Sequence, residues 1–217
     1  MNRRDFSKHS LSALGLGLAG APLLSSAQGG PVEGTHYVKL AQPAPVAAPA
    51  GKIEVVEFFW YGCPHCYHFE PALNAWVGKL PADVAFRRAP VAFRENPFGM
   101  HQRIYYTLEA MGLLSSLHSK TFHALHEEGQ RLDKPELIAD FMAKQGVDRA
   151  KFMSVFDSFA VQTKCRQARS LADAYKIDGV PTIGIGGQFY TSISLNGTPD
   201  KTLATVDFLV NRLRKGK

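Results

Sequence analysis

The most regular hydrophobic pattern in this 217-residue chain is a nearly unbroken apolar segment from Ile53 to Trp60. Only Glu54 and Glu57 interrupt it, which is typical of a strand covered on both faces. Gly62 ends the segment, and an apolar stripe with helical spacing then begins. The members of that stripe are Phe69, Leu73, Trp76, Val77 and Leu80. The pattern therefore predicts a buried strand that leads directly into an amphipathic helix.

A second strand is predicted over residues 83–90, just after this helix. A strand, a helix and a strand in that order form a right-handed unit with parallel strands. The preceding residues 28–52 are rich in Gly, Pro and Ala and contain one candidate strand, Thr35–Leu40. The Pro/Ala run within them is interpreted as an extended connector.

From residue 96 to residue 177 the periodicity is continuously helical and predicts five helices. The third is expected to begin with a capping box formed by Asp133 and Glu136. Strand patterns return at residues 179–185 and 188–190, and an amphipathic helix over 202–213 ends the chain. The order of elements predicts an α/β sheet domain that is interrupted by a helical insertion.

The first 27 residues have the organisation of an export signal. Arg3, Arg4 and Lys8 precede an apolar, glycine-rich run from Leu11 to Leu24, and small residues follow. The paired arginines resemble a twin-arginine signal, although two arginines also serve in a general secretory signal. Both interpretations place the mature protein outside the cytoplasm, where a C-x-x-C pair is not kept reduced.

Such a pair, Cys63 and Cys66, lies at the junction of the predicted strand and helix. Proline favours the first helical position, so Pro64 makes Cys63 the cap residue. Its sulfur should then face the free N–H groups of His65 and Cys66 at the positive end of the helix dipole. Because this environment stabilises a thiolate, Cys63 is the predicted nucleophile, and Cys66 lies close enough to form a disulfide with it.

Composition excludes several other functions. The chain is 45% hydrophobic and 20% charged, as ordinary globular proteins are, and three cysteines are too few for a disulfide scaffold. The formal charge of +6 includes no basic stripe interleaved with aromatic residues, so we expect no nucleic-acid partner. Haem attachment requires histidine directly after the second cysteine, where Tyr67 stands. The histidines at 68, 118, 123 and 126 lack the spacing of a zinc site, so no metal or cofactor is expected.

Three segments together resemble the DsbA family of thiol–disulfide oxidoreductases. They are Glu57-Phe58-Phe59, Gly62-Cys63-Pro64-His65-Cys66 and Gly179-Val180-Pro181-Thr182. The resemblance implies an α/β, thioredoxin-like fold, a mixed sheet flanked by helices, with an inserted all-helical domain. The boundaries expected on this basis are 1–27 for the signal, 28–95 and 178–217 for the thioredoxin-like domain, and 96–177 for the insertion.

Membership of this family implies a periplasmic enzyme that donates its disulfide to newly exported proteins. It also implies reoxidation by a membrane quinone reductase of the DsbB type. Pro181 is then a cis proline beside the cysteines, and Val180, Pro181, Pro64 and His65 bind substrate. A reductase or isomerase of the same fold, or a non-catalytic peptide-binding module, stays open as an alternative. Residues 28–52 are too few for the dimerisation domain of an isomerase, so a monomer is expected.

The polar residues near the cysteines allow two interpretations each. His65 could support the thiolate or merely occupy an exposed helix start. Glu57 is expected to relay protons to Cys66, to form an ion pair with Arg88, or both. The family usually has lysine where Arg88 aligns, and arginine does not give up its proton. Glu70 either matches another family acid in its role or is simply solvated at its position four residues past Cys66.

The third cysteine, Cys165, falls on an apolar helical stripe with Val161 and Ala168. A buried, inert thiol is the simplest interpretation of that position.

Overall fold

The computed structural model describes residues 29–216, so the expected signal at residues 1–27 lies outside the described part of the chain. One sheet of five strands, ordered β1-β5-β4-β2-β3, forms its centre. The strands are β1 (Val38–Lys39), β2 (Ile53–Phe59), β3 (Val84–Pro90), β4 (Thr182–Ile185) and β5 (Phe189–Ser192).

Strand β2 lies inside the sheet, parallel to β3 and antiparallel to β4. All seven of its side chains are buried, which confirms the prediction of a strand covered on both faces. Val55 packs with residues of the first and last helices, whereas Val56 and Phe58 pack against the helix that precedes β4. The sheet therefore lies between two helical layers.

Five helices separate β3 from β4, as the periodicity predicts. The helices of the chain are α1 (Pro64–Val77), α2 (Met100–Ala110), α3 (Leu114–His126), α4 (Pro135–Lys144), α5 (Arg149–Phe156), α6 (Phe159–Tyr175), α7 (Ile193–Asn196) and α8 (Pro199–Lys215). An irregular turn, Glu95–Gly99, with extended backbone at Asn96, leads into α2. Among residues 29–216, no helix is long and apolar enough to cross a membrane.

The apolar core of the insertion extends as far as the active-site cysteines. Phe59, Tyr61, Cys63 and Cys66 belong to the same buried cluster as the inward faces of the five inserted helices. The insertion therefore packs directly against the segment that carries the candidate redox pair.

Several predicted boundaries are wrong. Strand β1 has two residues instead of the six from Thr35 to Leu40. Helix α4 has no capping box, because its cap is Lys134, which makes no side-chain cap hydrogen bond, and Asp133 binds Arg131 instead. Helix α8 begins at Pro199, before the predicted residue 202, because Thr198 accepts a cap hydrogen bond from the Lys201 N–H.

Candidate active site

Helix α1 begins as the position of Pro64 predicts, and Cys63 is its cap residue. The Cys63 Sγ accepts a hydrogen bond from the backbone N–H of Cys66, with 3.4 Å between sulfur and nitrogen. Before the helix, the Cys63 N–H donates to the Trp60 carbonyl at 3.0 Å and closes a tight turn. This turn aims the cysteine sulfur at the N-terminus of α1.

The environment lowers the pKa of Cys63 from 9.0 to about 6. Hydrogen bonding from the Cys66 thiol is the main cause, and burial opposes it. The backbone N–H groups of Cys66 and His65 and the positive charge of His65 lower the pKa further. Cys63 is therefore mostly a thiolate at neutral pH.

The pKa values of the other two thiols are raised instead of lowered. Burial raises the pKa of Cys66, which is 0% exposed, well above 9.0. Burial also raises the pKa of Cys165 to about 11. Both are neutral thiols at physiological pH, so only Cys63 has the ionisation state of a nucleophile.

We expect Cys63 to be alkylated about a hundredfold faster than Cys165 at pH 7, because its far larger thiolate fraction outweighs the lower intrinsic nucleophilicity of a low-pKa thiolate. Exposure does not explain the difference, since Cys63 is 6% and Cys165 8% exposed. Mass spectrometry after timed alkylation of the reduced native protein measures the three rates. The fast phase should disappear in Cys63→Ser, and similar rates for all three thiols would contradict the assignment.

A distant loop completes the surroundings of Cys63. The Val180–Pro181 peptide bond is cis, as expected, and the Val180 carbonyl oxygen lies 3.5 Å from the Cys63 Sγ. Pro64 and His65 are exposed at the start of α1. The fold thus brings the four predicted substrate-binding residues to the cysteine pair from two separate segments.

A cluster of buried charges lies beneath this surface. Glu57 is 0% exposed, and its Oε2 accepts a hydrogen bond from Arg88 Nε at 2.9 Å. Arg88 Nη2 also donates to both oxygens of Glu70, at 3.1 and 3.2 Å, and to Asn74 at 2.8 Å. Glu70 is only 6% exposed and also contacts His118 Nε2 at 3.4 Å, so the interpretation that it is solvated is wrong. The turn spacing of α1 directs it inward, toward the neighbouring strand.

The Arg88 guanidinium therefore donates hydrogen bonds to two carboxyl groups, and these two groups differ in ionisation state. Burial raises the pKa of Glu57 to about 8, although Arg88 opposes the shift. Burial also acts to raise the pKa of Glu70, but His118 and Arg88 outweigh it and lower that pKa. At neutral pH Glu70 is ionised and Glu57 holds a proton. Among the described residues 29–216, the buried Glu57 Oε1 has no hydrogen-bond partner.

Sequence reasoning missed the part played by helix α3. The sequence suggests His118 and His126 only as candidate metal ligands, yet both contact Tyr61, which directly precedes Gly62 and Cys63. The available signal was the spacing of His118, Phe122 and His126, which places all three on one face of a helix.

Comparison with known proteins agrees with this geometry. Residues 54–200 match the family described as DSBA-like thioredoxin domain. Thiol:disulfide interchange protein DsbA of Azotobacter vinelandii is 45% identical over 184 residues, which are 85% of each chain. The protein of the same name from Burkholderia cepacia is 42% identical over 204 residues, covering 94% of this chain and 95% of the relative.

A solved structure supports the same relationship. The crystal structure of Pseudomonas aeruginosa DsbA superimposes with a TM-score of 0.82 at 45% identity, covering 85% of this chain and 95% of that chain. The matched region includes the cysteine pair, the buried acids and the Val180–Pro181 loop. The chain therefore belongs to the DsbA-like thioredoxin domain family of thiol:disulfide oxidoreductases.

Proposed function

We propose that this protein is a periplasmic disulfide oxidase that donates a Cys63–Cys66 disulfide to newly exported proteins. The observation that carries the proposal is the position of Cys63 at the N-terminus of α1, where its sulfur accepts a hydrogen bond from the Cys66 N–H and its pKa is lowered to about 6. A stabilised thiolate is a good leaving group, and its stability favours the reduced enzyme. The oxidised pair therefore tends to accept electrons from substrate thiols, which is the direction of an oxidase.

The exchange proceeds in two steps. A substrate thiolate attacks the Cys63 sulfur of the oxidised enzyme, the Cys63–Cys66 bond breaks, and Cys66 leaves as a thiolate that takes up a proton. A second substrate thiolate then attacks the substrate sulfur of this mixed disulfide. Cys63 leaves as a thiolate, the substrate gains a disulfide, and the enzyme has accepted two electrons.

Glu57 fits the role of proton donor to Cys66. Burial raises the pKa of Cys66 well above 9.0, so the Cys66 thiolate that forms in this site readily takes up a proton. Glu57 holds a proton at neutral pH, is fully buried, and is close enough to Cys66 to interact with it electrostatically. In this protonated state Arg88 holds the Glu57 carboxyl group in place through a hydrogen bond, and the two groups form an ion pair only after the proton has been given up.

The substrate should dock on the exposed residues around Cys63. The Val180–Pro181 loop lies against the sulfur, and Pro64 and His65 form the neighbouring rim. An extended segment can bind beside such a loop through its backbone, which suits unfolded proteins of many sequences. His65 additionally contributes positive charge that favours the Cys63 thiolate.

The proposed function also includes export to the periplasm, action as a monomer and reoxidation by a membrane partner. The signal-like residues 1–27 support export, after which a monomer made of the sheet domain (28–95 and 178–217) and the insertion (96–177) would act in the periplasm. The reduced enzyme would be reoxidised by a DsbB-like membrane quinone reductase, whose disulfide the Cys63 thiolate attacks.

The redox equilibrium with glutathione tests the direction of the reaction. We expect a reduction potential above about −180 mV, the value of protein disulfide isomerase, and stoichiometric oxidation of a reduced, unfolded protein that has two cysteines. Cys63→Ser should abolish the oxidation. A potential near about −270 mV, as in thioredoxin, would identify a reductase instead.

A further inference from the structure

Tyr61 is held at both ends by the same helix of the insertion. Its hydroxyl lies 2.8 Å from His118 Nδ1, and its backbone carbonyl lies 2.8 Å from His126 Nε2. The two histidines are eight residues apart on α3, and the ring of Phe122 between them packs edge-on against the Tyr61 ring at 4.9 Å. One face of α3 therefore contacts the hydroxyl, the ring and the backbone carbonyl of Tyr61.

The directions of these hydrogen bonds follow from the partners. A carbonyl oxygen can only accept, so His126 donates its Nε2–H to Tyr61. His118 donates its Nε2–H to the Glu70 carboxylate, which leaves its Nδ1 to accept the hydrogen bond of the Tyr61 hydroxyl. Burial lowers the pKa of His118, in agreement with this neutral form of the ring.

Tyr61 lies inside the turn that presents Cys63. The turn is closed by the hydrogen bond from the Cys63 N–H to the Trp60 carbonyl, and a Cβ atom at Gly62 would overlap the Trp60 indole. His126 also stacks on Tyr67 of α1, with ring centroids 4.9 Å apart and planes 8° from parallel. His126 therefore contacts the chain on both sides of the cysteine pair, two residues before Cys63 and one residue after Cys66.

We propose that His126 is a positioning residue for the active site, which holds the Tyr61–Cys63 turn against α1 and sets how strongly the Cys63 thiolate is stabilised. His118 anchors the other end of Tyr61. The helical insertion would then control the redox chemistry through the turn. The effect on oxidising strength rests on the proposed oxidase function, whereas the effect on Cys63 ionisation does not.

The physical reason lies in the hydrogen bond between Cys66 N and Cys63 Sγ. At 3.4 Å this contact depends closely on where the turn places the sulfur relative to the first turn of α1. Without the His126 hydrogen bond, the Tyr61 carbonyl loses a fixed partner and the turn can move away from the helix. The sulfur then receives less stabilisation from the N–H groups, and the thiolate becomes less favourable.

Substitution of His126 by leucine tests this proposal, since leucine keeps apolar contact with Tyr67 but cannot donate. We expect the pKa of Cys63, measured by the pH dependence of thiolate absorbance, to rise by about one, which corresponds to a tenfold change in ionisation. The equilibrium constant with glutathione should shift toward the oxidised enzyme by about the same factor. His126→Gln, which can donate from its amide, should restore much of both values.

His123 provides a matched control on the same helix. Its side chain is 56% exposed and contacts Glu128, away from Tyr61. His123→Leu should leave the pKa of Cys63 and the glutathione equilibrium unchanged. Circular dichroism and thermal unfolding establish that each variant is folded.

Two results would overturn the proposal. One is an unchanged Cys63 pKa in folded His126→Leu, and the other is an equal shift in His123→Leu. If His126→Leu does not fold, His126→Phe decides instead, because phenylalanine keeps a ring against Tyr67 but cannot donate to the Tyr61 carbonyl. A normal Cys63 pKa in folded His126→Phe would also overturn it. A reductase-like potential in the unmodified protein would refute the oxidase function but leave the pKa comparison valid.

Discussion

We expect the free energy of unfolding of the reduced protein to rise by about 2 kcal/mol relative to the oxidised protein between pH 6 and pH 8. The folded state lowers the pKa of Cys63 from 9.0 to about 6. A lowered pKa gives stabilisation that is complete above the unfolded pKa and is lost as the pH falls through the folded pKa. The oxidised protein has no thiolate at Cys63 and gains nothing from this ionisation.

The disulfide itself adds a contribution that does not depend on pH. A ring closed by four residues restricts the unfolded chain by about 2 kcal/mol, less than longer rings do. The oxidised form should therefore be the more stable one at pH 6, and the reduced form should become the more stable one above about pH 7.5. Glu57 is present in both forms, so its own titration largely cancels in the comparison.

Denaturant titrations of both redox forms across this pH range measure the effect. Cys63→Ala, which has neither the thiolate nor the disulfide, should not show the rise seen in the reduced protein. Parallel pH curves for the two redox forms would mean that Cys63 is not a stabilised thiolate.

Replacing Glu57 with glutamine should slow the attack of substrate thiols on the oxidised enzyme by about a hundredfold, the contribution typical of a general acid. Glutamine keeps the size of the side chain and an oxygen for the Arg88 hydrogen bond, but it has no proton to give to Cys66. Stopped-flow oxidation of a small dithiol substrate measures the rate. An inflection near pH 8, present in the unmodified enzyme, should be absent in the variant.

The same substitution has a thermodynamic signature. Because the folded pKa of Glu57 is raised from 4.5 to about 8, its contribution to stability is present below pH 4.5 and is lost as the pH rises through 8. Between pH 5 and pH 8 this loss is about 3 kcal/mol, and Glu57→Gln should lack it. An unchanged rate together with an unchanged pH dependence of stability would show that Glu57 is ionised and only pairs with Arg88. Asp157, an exposed acid whose partner is Arg103, offers Asp157→Asn as a control that should change neither quantity.

The sequence by itself determined the features that depend on residues close together in the chain. The apolar run of β2 and the helical stripe after Gly62 set the strand and the helix, because side-chain periodicity is a local property. Pro64 determined the first position of α1 and therefore the place of Cys63 at its N-terminus. Since the N–H groups that stabilise the thiolate belong to His65 and Cys66, the reactivity of Cys63 was predictable from four consecutive residues.

The ends of the peripheral elements were less predictable. Strand β1 is shorter than its pattern suggests, because only Val38 and Lys39 form ladder pairs with β5, opposite Tyr190 and Phe189. The Asp133 side chain could either cap the N-terminus of α4 or bind Arg131, and only the folded geometry shows that it binds the arginine. Such local competition between side-chain partners leaves no clear signal in the sequence.

Only the tertiary structure decided which acid beneath the cysteines holds a proton. Glu57 and Glu70 lie on different elements, and the sequence left open whether Glu57 relays protons or pairs with Arg88 and whether Glu70 is solvated. Their contrasting pKa values arise because one guanidinium, Arg88, is shared between them while His118, from the insertion, supports Glu70 alone. The same holds for Tyr61, whose two partners follow it by more than fifty residues. Burial and electrostatic interaction are sums over all neighbours in space, and most of those neighbours are distant in the chain.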